Sequence, residues 1–411
     1  MLSASTMASQ PKLVNSHAPR RLKILMIHTY YQQAGGEDAV FNQERKLLEE
    51  SEFVEVLEFR NQPGLKGALQ FLLSFWNPFA ARKLKQKISE VQPDIIHLHN
   101  VHFAIGPIAI RVAQKAGVPV VMTLHNYRLL CPSATLLYDG DLFTNSLHAA
   151  FPWQAIRKKV YRNSHFQTFW LAFTTWFHKK LGTWQLIDRY ILLTAFSKQL
   201  FSDSSFGIDP EKMVIKPNFK INAPPDICPV KRGRHFLFVG RLSTEKGIQV
   251  LLEAATLSGC ELHIAGDGPL KKDVLLAAQQ HTNIRLLGNL DPAGVEQAMK
   301  SCTALIFPSI WYEGMPMTIL EALATGTPII ASNLGAMSAI IHHGSNGLHY
   351  KAGNAGELAE KLKEWQEMDD SRQSMYQQNA FATYLSEYTP ERNKQHLIDI
   401  YKTILYAKTI D

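Results

Sequence analysis

Cysteines are scarce and long apolar runs are absent from this chain. No stretch of about eighteen apolar residues occurs, so we expect no transmembrane helix. The first twenty residues are polar and lack the apolar core of a signal peptide, and we interpret residues 1–20 as a flexible tail. Scattered cysteines without paired spacing argue against a disulfide framework and a zinc cluster, and they favour a reducing, cytoplasmic setting. They are Cys131, Cys228, Cys260 and Cys302.

The composition is that of an ordinary globular protein with room for two or three domains. Of 411 residues, 46% are hydrophobic and 19% are charged. The formal charge of +7 fits an anionic ligand, an acidic membrane face or simply a basic surface, so charge alone does not decide between them. We recognise no nucleic-acid-binding module and expect no nucleic-acid partner.

Short apolar runs alternate with segments of helical period in each half of the chain. This alternation predicts parallel strands joined by helices, in two doubly wound α/β layers. A stretch bearing Pro and Gly at 217–233 interrupts the pattern and predicts an interdomain linker. Ligands of such open sheets bind beyond the carboxyl ends of the strands, so we seek the site in the loops that follow them. The predicted strands are 22–28, 53–59, 94–100, 118–125 and 189–195, then 235–240, 261–266, 284–288, 303–309 and 328–332.

Three of these loops carry glycine or basic residues. Gly35 and Gly36 precede a helix, where free N–H groups suit a phosphate, although a tight turn alone also explains them. In 239-VGRLSTEKG-247, Arg241 and Lys246 suit a diphosphate, although a solvated basic turn is equally open. The stretch 265-AGDGPL-270 is by itself more often structural.

Two glutamates, Glu313 and Glu321, flank a Gly-Met-Pro in 311-WYEGMPMTILEALATGTPII-330. The Pro marks a helix start, which places Glu313 in a loop and Glu321 in the second helical turn. That makes a poor glycosidase pair, and no His or Cys lies nearby for zinc. Hydrogen bonding to hydroxyl groups remains as their role.

Histidines mark the ends of two predicted strands in the first half. His125 lies where a strand meets its loop, so its side chain could reach the cleft, although packing is the commoner role of a strand histidine. A second group lies nearby, namely His97, His99 and His102.

The motifs together resemble those of the retaining glycosyltransferases of family 4. Glu-x7-Glu, Gly-Arg-Leu with a downstream Glu-Lys-Gly, Gly-Asp-Gly-Pro and the amino-terminal Gly-Gly-Glu-Asp occur in that family's order, from about residue 22 onward. The resemblance implies the GT-B fold, which is two Rossmann-like doubly wound parallel-sheet domains facing across a cleft. It divides the chain into an acceptor domain at 21–220, a donor domain at 221–390 and a last helix at 391–411 that returns to the first domain.

The resemblance also implies roles for individual residues, in an enzyme that needs neither a cofactor nor a metal. Arg241 and Lys246 would hold the diphosphate of a nucleotide sugar, Glu321 the ribose and Glu313 the donor sugar, with His125 beside the anomeric carbon. The leaving diphosphate would itself take the acceptor's proton, giving retention. Backbone close to the donor would come from Gly35, Gly36, Gly240, Gly266, Gly314, Met315 and Met317, and the nucleobase would rest near Gly288, Asn289 and Leu290.

A basic and aromatic segment at 142–187 has no acidic residue from Leu142 to Ile187. Such a composition suits contact with an anionic membrane, and a helical pair packing its aromatic side chains inside the first domain explains it equally well.

The resulting hypothesis is a cytoplasmic hexosyltransferase (EC 2.4), working at the inner face of the cytoplasmic membrane if that segment binds lipid. It would move a sugar from a UDP- or GDP-sugar to a glycan or lipid-linked glycan, as in lipopolysaccharide or exopolysaccharide synthesis. The alternatives are a nucleotide-sugar epimerase or phosphorylase on the same architecture, and a non-catalytic sugar-binding protein.

Overall fold

The computed structural model describes residues 20–32, 35–221 and 232–410, and it contains two six-stranded parallel sheets. The predicted tail, apart from Arg20, and the centre of the predicted linker lie outside these ranges. The first sheet has the order β2-β1-β3-β4-β7-β8 and the second the order β11-β10-β9-β12-β13-β14. Strands of the first half are β1 (Lys23–Tyr30), β2 (Phe53–Arg60), β3 (Ile95–Leu98), β4 (Val120–Leu124), β7 (Arg189–Leu192) and β8 (Met213–Ile215), with a small hairpin of β5 (Leu137–Tyr138) and β6 (Asp141–Leu142).

Helices cover both faces of the first sheet, and its central strands are accordingly apolar apart from His97 in β3 and Thr123 in β4. Every residue of β3 and β4 is buried, as expected for parallel strands between two helical layers. The helices are α1 (Gly36–Glu49), α2 (Gly64–Leu73), α3 (Pro78–Val91), α4 (Ile108–Lys115), α5 (Trp153–Arg157), α6 (His165–Lys180) and α7 (Ala195–Asp203).

The second half repeats this architecture. Its strands are β9 (Phe236–Val239), β10 (Leu262–Ala265), β11 (Ile284–Gly288), β12 (Leu305–Phe307), β13 (Ile329–Ser332) and β14 (Gly347–Tyr350). Its helices are α8 (Ile248–Ser258), α9 (Lys271–Gln280), α10 (Pro292–Ser301), α11 (Met317–Ala324), α12 (Ala336–Ile340), α13 (Ala355–Glu367) and α14 (Asp370–Glu387).

The last helix, α15 (Pro390–Ile410), packs on the first sheet rather than on the second. Its apolar face is buried against Ile24 and Met26 of β1 and Phe41 of α1. The face consists of Leu397, Ile398, Ile400, Tyr401 and Ile404. The chain therefore contributes to the first half of the structure from both of its ends.

The predicted fold class is confirmed, and each predicted strand is present within a few residues of its expected bounds. The edge strands β8 and β14 were not predicted, because Met213–Ile215 is too short to show a pattern and Gly347–Tyr350 begins with glycine and contains a histidine. Within the described ranges no helix is both long and apolar enough to span a bilayer.

Aromatic side chains of the 142–187 segment pack against one another and against the first half, and most of them stay partly exposed. Phe173 and Phe177 of α6 contact the Phe75 ring, and the Trp170 indole N–H donates to the Phe71 carbonyl oxygen over 2.9 Å. Trp153 and Phe166 differ, with 58% and 56% of their surface exposed. Packing between neighbours therefore engages many of these rings, while Trp153 and Phe166 remain largely in solvent.

Candidate active site

The carboxyl ends of the two sheets face one another across a cavity of about 560 Å³. Loops after β1 and β4 line it from the first half, and loops after β9 and β12 line it from the second. Ten residues singled out from the sequence line this cavity: Gly35, Gly36, His125, Gly240, Arg241, Lys246, Glu313, Gly314, Met315 and Met317.

An ion pair joins two of these residues within the second half. The Lys246 ammonium donates to Glu313 Oε1 over 2.7 Å, and the Ser309 hydroxyl donates to the same oxygen over 2.5 Å. Glu313 is 6% exposed, so these two partners rather than water provide its hydrogen bonds. Lys246 is the last residue of a short 3-10 turn, Thr244–Lys246. Gly247 follows this turn and adopts a left-handed backbone conformation (φ +72°). A Cβ at Gly247 would lie 1.9 Å from the Pro308 carbonyl oxygen, so only glycine fits there.

Arg241 offers a second cation at the same cavity. Its side chain is exposed, and within the described ranges its guanidinium makes no hydrogen bond or ion pair. The cavity therefore has two groups able to hold phosphate oxygens, the free Arg241 guanidinium and the paired Lys246 ammonium.

The loop after β12 leads into α11, whose first turn faces the cavity. Pro316 is the N-cap and lacks an N–H, while Met317 and Thr318 line the cavity. Amide N–H groups in the first turn of a helix have no partner within it and favour an anion. Glu321 falls in the second turn, as the Gly-Met-Pro sequence predicted.

The same loop touches the first half directly. A Cβ at Gly314 would lie 2.3 Å from the carbonyl oxygen of His125. The Tyr127 hydroxyl donates to the Glu313 carbonyl oxygen over 3.1 Å. Glycine at 314 therefore allows the two backbones to meet at the cavity.

His125 is backed by a chain of buried polar side chains. Its Nε2 lies 3.1 Å from Nδ1 of His99, and His99 Nε2 lies 3.3 Å from Glu44 Oε2. Burial, together with the nearby His99 ring, holds the pKa of His125 well below its usual range, so this imidazole is neutral at physiological pH. Hydrogen bonding of one ring nitrogen fixes the orientation of the other.

Lys216 completes this chain at the start of the interdomain linker. Its ammonium donates to Glu44 Oε1 and, over 3.2 Å, to Asn393 of α15. Burial alone would raise the pKa of Glu44, but Lys216 and the His99 hydrogen bond outweigh it and hold that pKa well below its usual range. The environment of His125 is thus connected to the segments that join the two halves.

Glu44, His97 and His99 place ligand atoms within 4.8 Å of one another, a spacing open to a metal ion. The sequence showed no such group, because Glu44 lies in α1, some fifty residues before His97 in β3 and His99 just after it. Both ring nitrogens of His97 are engaged, by Thr123 and Tyr401 over 2.8 and 2.7 Å, and the Lys216 ammonium already pairs with Glu44 Oε1, which disfavours a metal cation beside it. We therefore assign this group a structural role.

The other residues that the sequence predicted to contact the nucleotide sugar lie beside the main cavity. Gly266, Asn289 and Leu290 line an adjoining cavity of about 290 Å³ that shares Gly240 and Arg241 with it. Glu321 and Leu290 line a third cavity of about 200 Å³. Gly288 lines none of the three, and its carbonyl oxygen accepts from the Gly266 N–H over 2.8 Å.

The Glu321 carboxylate lines a cavity and also has a cationic partner, Lys220. Lys220 lies 3.5 Å from its carboxylate, and burial raises the pKa of Glu321 against the influence of that lysine.

Sequence reasoning missed a carboxylate at the cavity. Glu37 follows the glycine pair in the first turn of α1, and it accepts from Asn100 over 2.9 Å and from Asn126 over 3.4 Å. Burial and the neighbouring Asp38 raise the pKa of Glu37 to about 7, against the influence of Arg128. The sequence signal for it is Gly-Gly-Glu-Asp, in which Glu37 directly follows the two glycines.

Known proteins resemble this chain along most of its length. The profile described as "Glycosyltransferase Family 4" matches residues 24–219, and that described as "Glycosyl transferases group 1" matches residues 226–382. The structure of Anabaena Alr3699/HepE in complex with UDP is 20% identical and has a TM-score of 0.65, over 93% of this chain and 100% of that one. At that identity the likeness concerns the fold, which is GT-B.

Relatives of known name align over shorter stretches. Phosphatidyl-myo-inositol mannosyltransferase of Mycobacterium leprae is 32% identical over 149 residues, which is 34% of this chain and 40% of the relative. O-antigen chain mannosyltransferase C of Escherichia coli is 27% identical over 179 residues, or 42% and 48%. The chain thus spans less than half of the length of each of these two relatives. With its two halves matched in order by the two profiles, the chain belongs to the GT4-type glycosyltransferases.

Proposed function

We propose that this protein transfers a hexose from a nucleoside diphosphate sugar to a glycan or lipid-linked glycan, with retention and without a metal, in the synthesis of a cell-surface polysaccharide. The observation that carries the proposal is the convergence of Arg241, Lys246 and the first turn of α11 on one cavity beside buried Glu313. Two cations and a helix N-terminus suit a diphosphate, and a buried carboxylate suits sugar hydroxyls.

The arrangement supports a reaction in which the protein binds and orients rather than removes protons. The acceptor oxygen would bond to the anomeric carbon as the carbon–oxygen bond to the diphosphate breaks, and the departing diphosphate would take the acceptor's proton. Arg241 and Lys246 would stabilise the charge that develops on this leaving group. Neutral His125 could donate or accept a hydrogen bond at the donor sugar without bringing charge.

The adjoining cavities favour a placement for the nucleoside. Glu321 would accept hydrogen bonds from the ribose, and the base would lie toward Asn289 and Leu290. Uracil is favoured by the UDP-bound Anabaena structure, whereas the two named relatives are mannosyltransferases. We therefore propose a UDP- or GDP-sugar as the donor.

Contact with the inner face of the cytoplasmic membrane forms part of the proposal. Trp153 and Phe166 are exposed, and near them the basic residues Arg157, Lys158 and Arg162 are exposed as well. Exposed aromatic rings among basic side chains favour an anionic interface. Sedimentation with anionic and with neutral vesicles tests this part, and failure to sediment with anionic vesicles even at low salt would refute it.

The test of the main proposal is a panel of UDP- and GDP-sugars. We expect one nucleoside diphosphate to raise the melting temperature, and the cognate sugar donor to release that diphosphate when acceptor is present. The anomeric configuration should be retained in the product, and chelation with EDTA should leave the rate unchanged. Binding of a nucleotide sugar that is epimerised but never transferred would overturn the assignment, as would a strict need for a divalent metal.

A further inference from the structure

Lys220 lines the third cavity, the one of about 200 Å³ that Glu321 also lines. Sequence reasoning placed Lys220 in the predicted linker at 217–233 and gave it no role. The walls of this cavity are largely apolar, and they include Leu290, Val295 and Met299. Apolar walls around a few polar groups suit a nucleoside, in which a flat base is joined to a ribose.

The backbone of Lys220 is fixed by the end of α14. Its N–H donates to the Tyr388 carbonyl oxygen over 3.2 Å, and its carbonyl oxygen accepts from the Tyr384 hydroxyl over 2.8 Å. Both tyrosines are buried in one apolar cluster with Ile319 of α11, the helix that carries Glu321. Lys220 is therefore held in place relative to Glu321, although it follows the last strand of the first half.

Within the described ranges, the charged atoms of Lys220 and Glu321 have no partner other than each other. Lys220 Nζ lies 3.5 Å from Glu321 Oε1, which is long for a hydrogen bond, and the two side chains are 24% and 29% exposed. Glu296, which also lines the cavity, pairs with Lys300 over 2.6 Å. The Thr325 hydroxyl donates to backbone carbonyl oxygens of α11. The lysine and Glu321 are thus left to contact a ligand.

A hydroxyl group satisfies both of these side chains at once. It donates to the carboxylate and accepts from the ammonium, whereas a carboxylate only accepts and an ammonium only donates. Hydrogen bonds to charged groups are about twice as strong as those between neutral groups. Because the ribose hydroxyls are assigned to Glu321 in the proposed function, a hydroxyl that bonds to Glu321 Oε1 lies within reach of the Lys220 ammonium.

We propose that Lys220 is a specificity-determining residue, which donates a hydrogen bond to the ribose hydroxyl that itself donates to Glu321. The pair thereby selects ribonucleotide donors over deoxyribonucleotide donors. This inference rests on the proposed transferase function, since it adds a residue to the nucleoside part of the donor site. It requires that loss of the ammonium and loss of one ribose hydroxyl remove the same contact.

The test is calorimetric titration of the full chain with UDP or GDP, whichever stabilises the protein, and with the 2′-deoxy and 3′-deoxy forms of that nucleotide. We expect the parent protein to bind one of the deoxy forms about tenfold more weakly than the ribonucleotide. Lys220→Met should weaken binding of the ribonucleotide about tenfold. In this variant the penalty for the same deoxy form should shrink to about threefold or less, because the shared contact is already absent.

Lys361→Met is the matched control. The Lys361 side chain is also 24% exposed and pairs with a glutamate, Glu364, but it lies outside the main cavity and the two cavities beside it. This variant should bind all three nucleotides within about twofold of the parent protein.

The outcomes separate this inference from the proposed function. Equal binding of the ribonucleotide and both deoxy forms by the parent protein would overturn the inference without any variant. If Lys220→Met weakened binding of all three nucleotides by one factor, the lysine would not contact the ribose and the assignment would be wrong. Unchanged ribonucleotide binding by the Lys220 variant would overturn the role of the lysine alone. Absence of any nucleotide effect on the parent protein would remove the transferase and, with it, the role of Lys220.

Discussion

Lys246 Nζ lies 2.7 Å from Glu313 Oε1, and the two residues come from different loops of the second half. The carboxylate is 6% exposed, and the ammonium and the Ser309 hydroxyl both donate to the same oxygen. Both side chains line the main cavity, so a donor that binds there meets the pair together. This relationship leads to different expectations for the two residues when either is neutralised.

We expect Lys246→Gln to weaken nucleoside diphosphate binding about tenfold and to lower the transfer rate roughly a hundredfold or more, because one cation facing the leaving group is lost. Glu313→Gln should keep nucleotide binding within about threefold, since it removes no cation, yet should also lower transfer about a hundredfold. Titration with UDP or GDP and single-turnover transfer assays measure the two effects.

Lys361→Gln is the control for the lysine, because Lys361 pairs with Glu364 on α13, outside the main cavity and the two cavities beside it. It should change neither quantity beyond about twofold. Unchanged transfer in both the Lys246 and the Glu313 variants would show that the site has been misassigned.

The orientation of His125 by His99 is a second testable relationship. His99→Phe keeps a ring of similar size but removes the nitrogen that lies 3.1 Å from His125 Nε2. We expect kcat to fall about 10- to 100-fold while the donor KM changes less than about threefold, as for a misoriented group at the reacting centre. The dependence of kcat on pH should change as well, because the His125 ring loses its fixed partner.

His178→Phe is the matched control, since His178 is also buried and bonded, to Thr183 and to the Phe75 carbonyl oxygen, but lies outside the main cavity. Its effect should be on stability and not on kcat. An equal loss of kcat in the two variants would mean that His99 acts only through packing.

Breaking the buried Lys216–Glu44 pair should lower the free energy of unfolding more than breaking an exposed ion pair would. Each side chain is 1% exposed, so Lys216→Met would leave a buried carboxylate without its cation. We expect a loss of about 3 to 5 kcal/mol in the free energy of unfolding, measured by urea denaturation. Glu44→Met combined with Lys216→Met should lose less than Lys216→Met alone, because the unpaired charge is then absent.

Lys300→Met, at a partly exposed i,i+4 pair with Glu296, controls for the loss of a lysine as such and should cost about 0 to 1 kcal/mol. If the double variant were as unstable as Lys216→Met, the interpretation of an uncompensated charge would be wrong.

Local sequence patterns predicted the fold and much of the local structure around the site. Parallel strands follow from apolar runs separated by helical periods, and the start of α11 follows from Gly-Met-Pro. The placing of Glu313 in a loop and Glu321 in the second turn needed nothing beyond those few residues. Such features depend on neighbours in sequence, which a single chain displays.

Pairings between distant residues could not be predicted in the same way. Lys246 meets Glu313 because β9 lies beside β12, although β10 and β11 intervene in the sequence. His99 meets His125 because β3 pairs with β4, and Lys216 meets Asn393 because α15 packs on the first sheet. Each contact depends on strand order and helix docking. The sequence indicated Lys246, Glu313, His99 and His125 but not their partners, and it indicated neither Lys216 nor Asn393.

Glu37 gives a prediction about pH. Burial and Asp38 raise its pKa to about 7 in the folded protein, from 4.5 for an ordinary glutamate, so the folded state binds more protons between these values. Stability attributable to this group therefore falls as pH rises from about 4.5 to 7, and the penalty is complete above 7.

Glu37→Gln removes that penalty. One pKa unit corresponds to about 1.4 kcal/mol, and partial exposure reduces the effect, so we expect the variant to gain about 1 to 2 kcal/mol over the parent between pH 5 and pH 8. Urea denaturation at the two pH values measures this gain. Glu253→Gln, at an exposed position on α8, should show no such gain, and an identical pH response of the Glu37 variant and the parent would contradict the raised pKa.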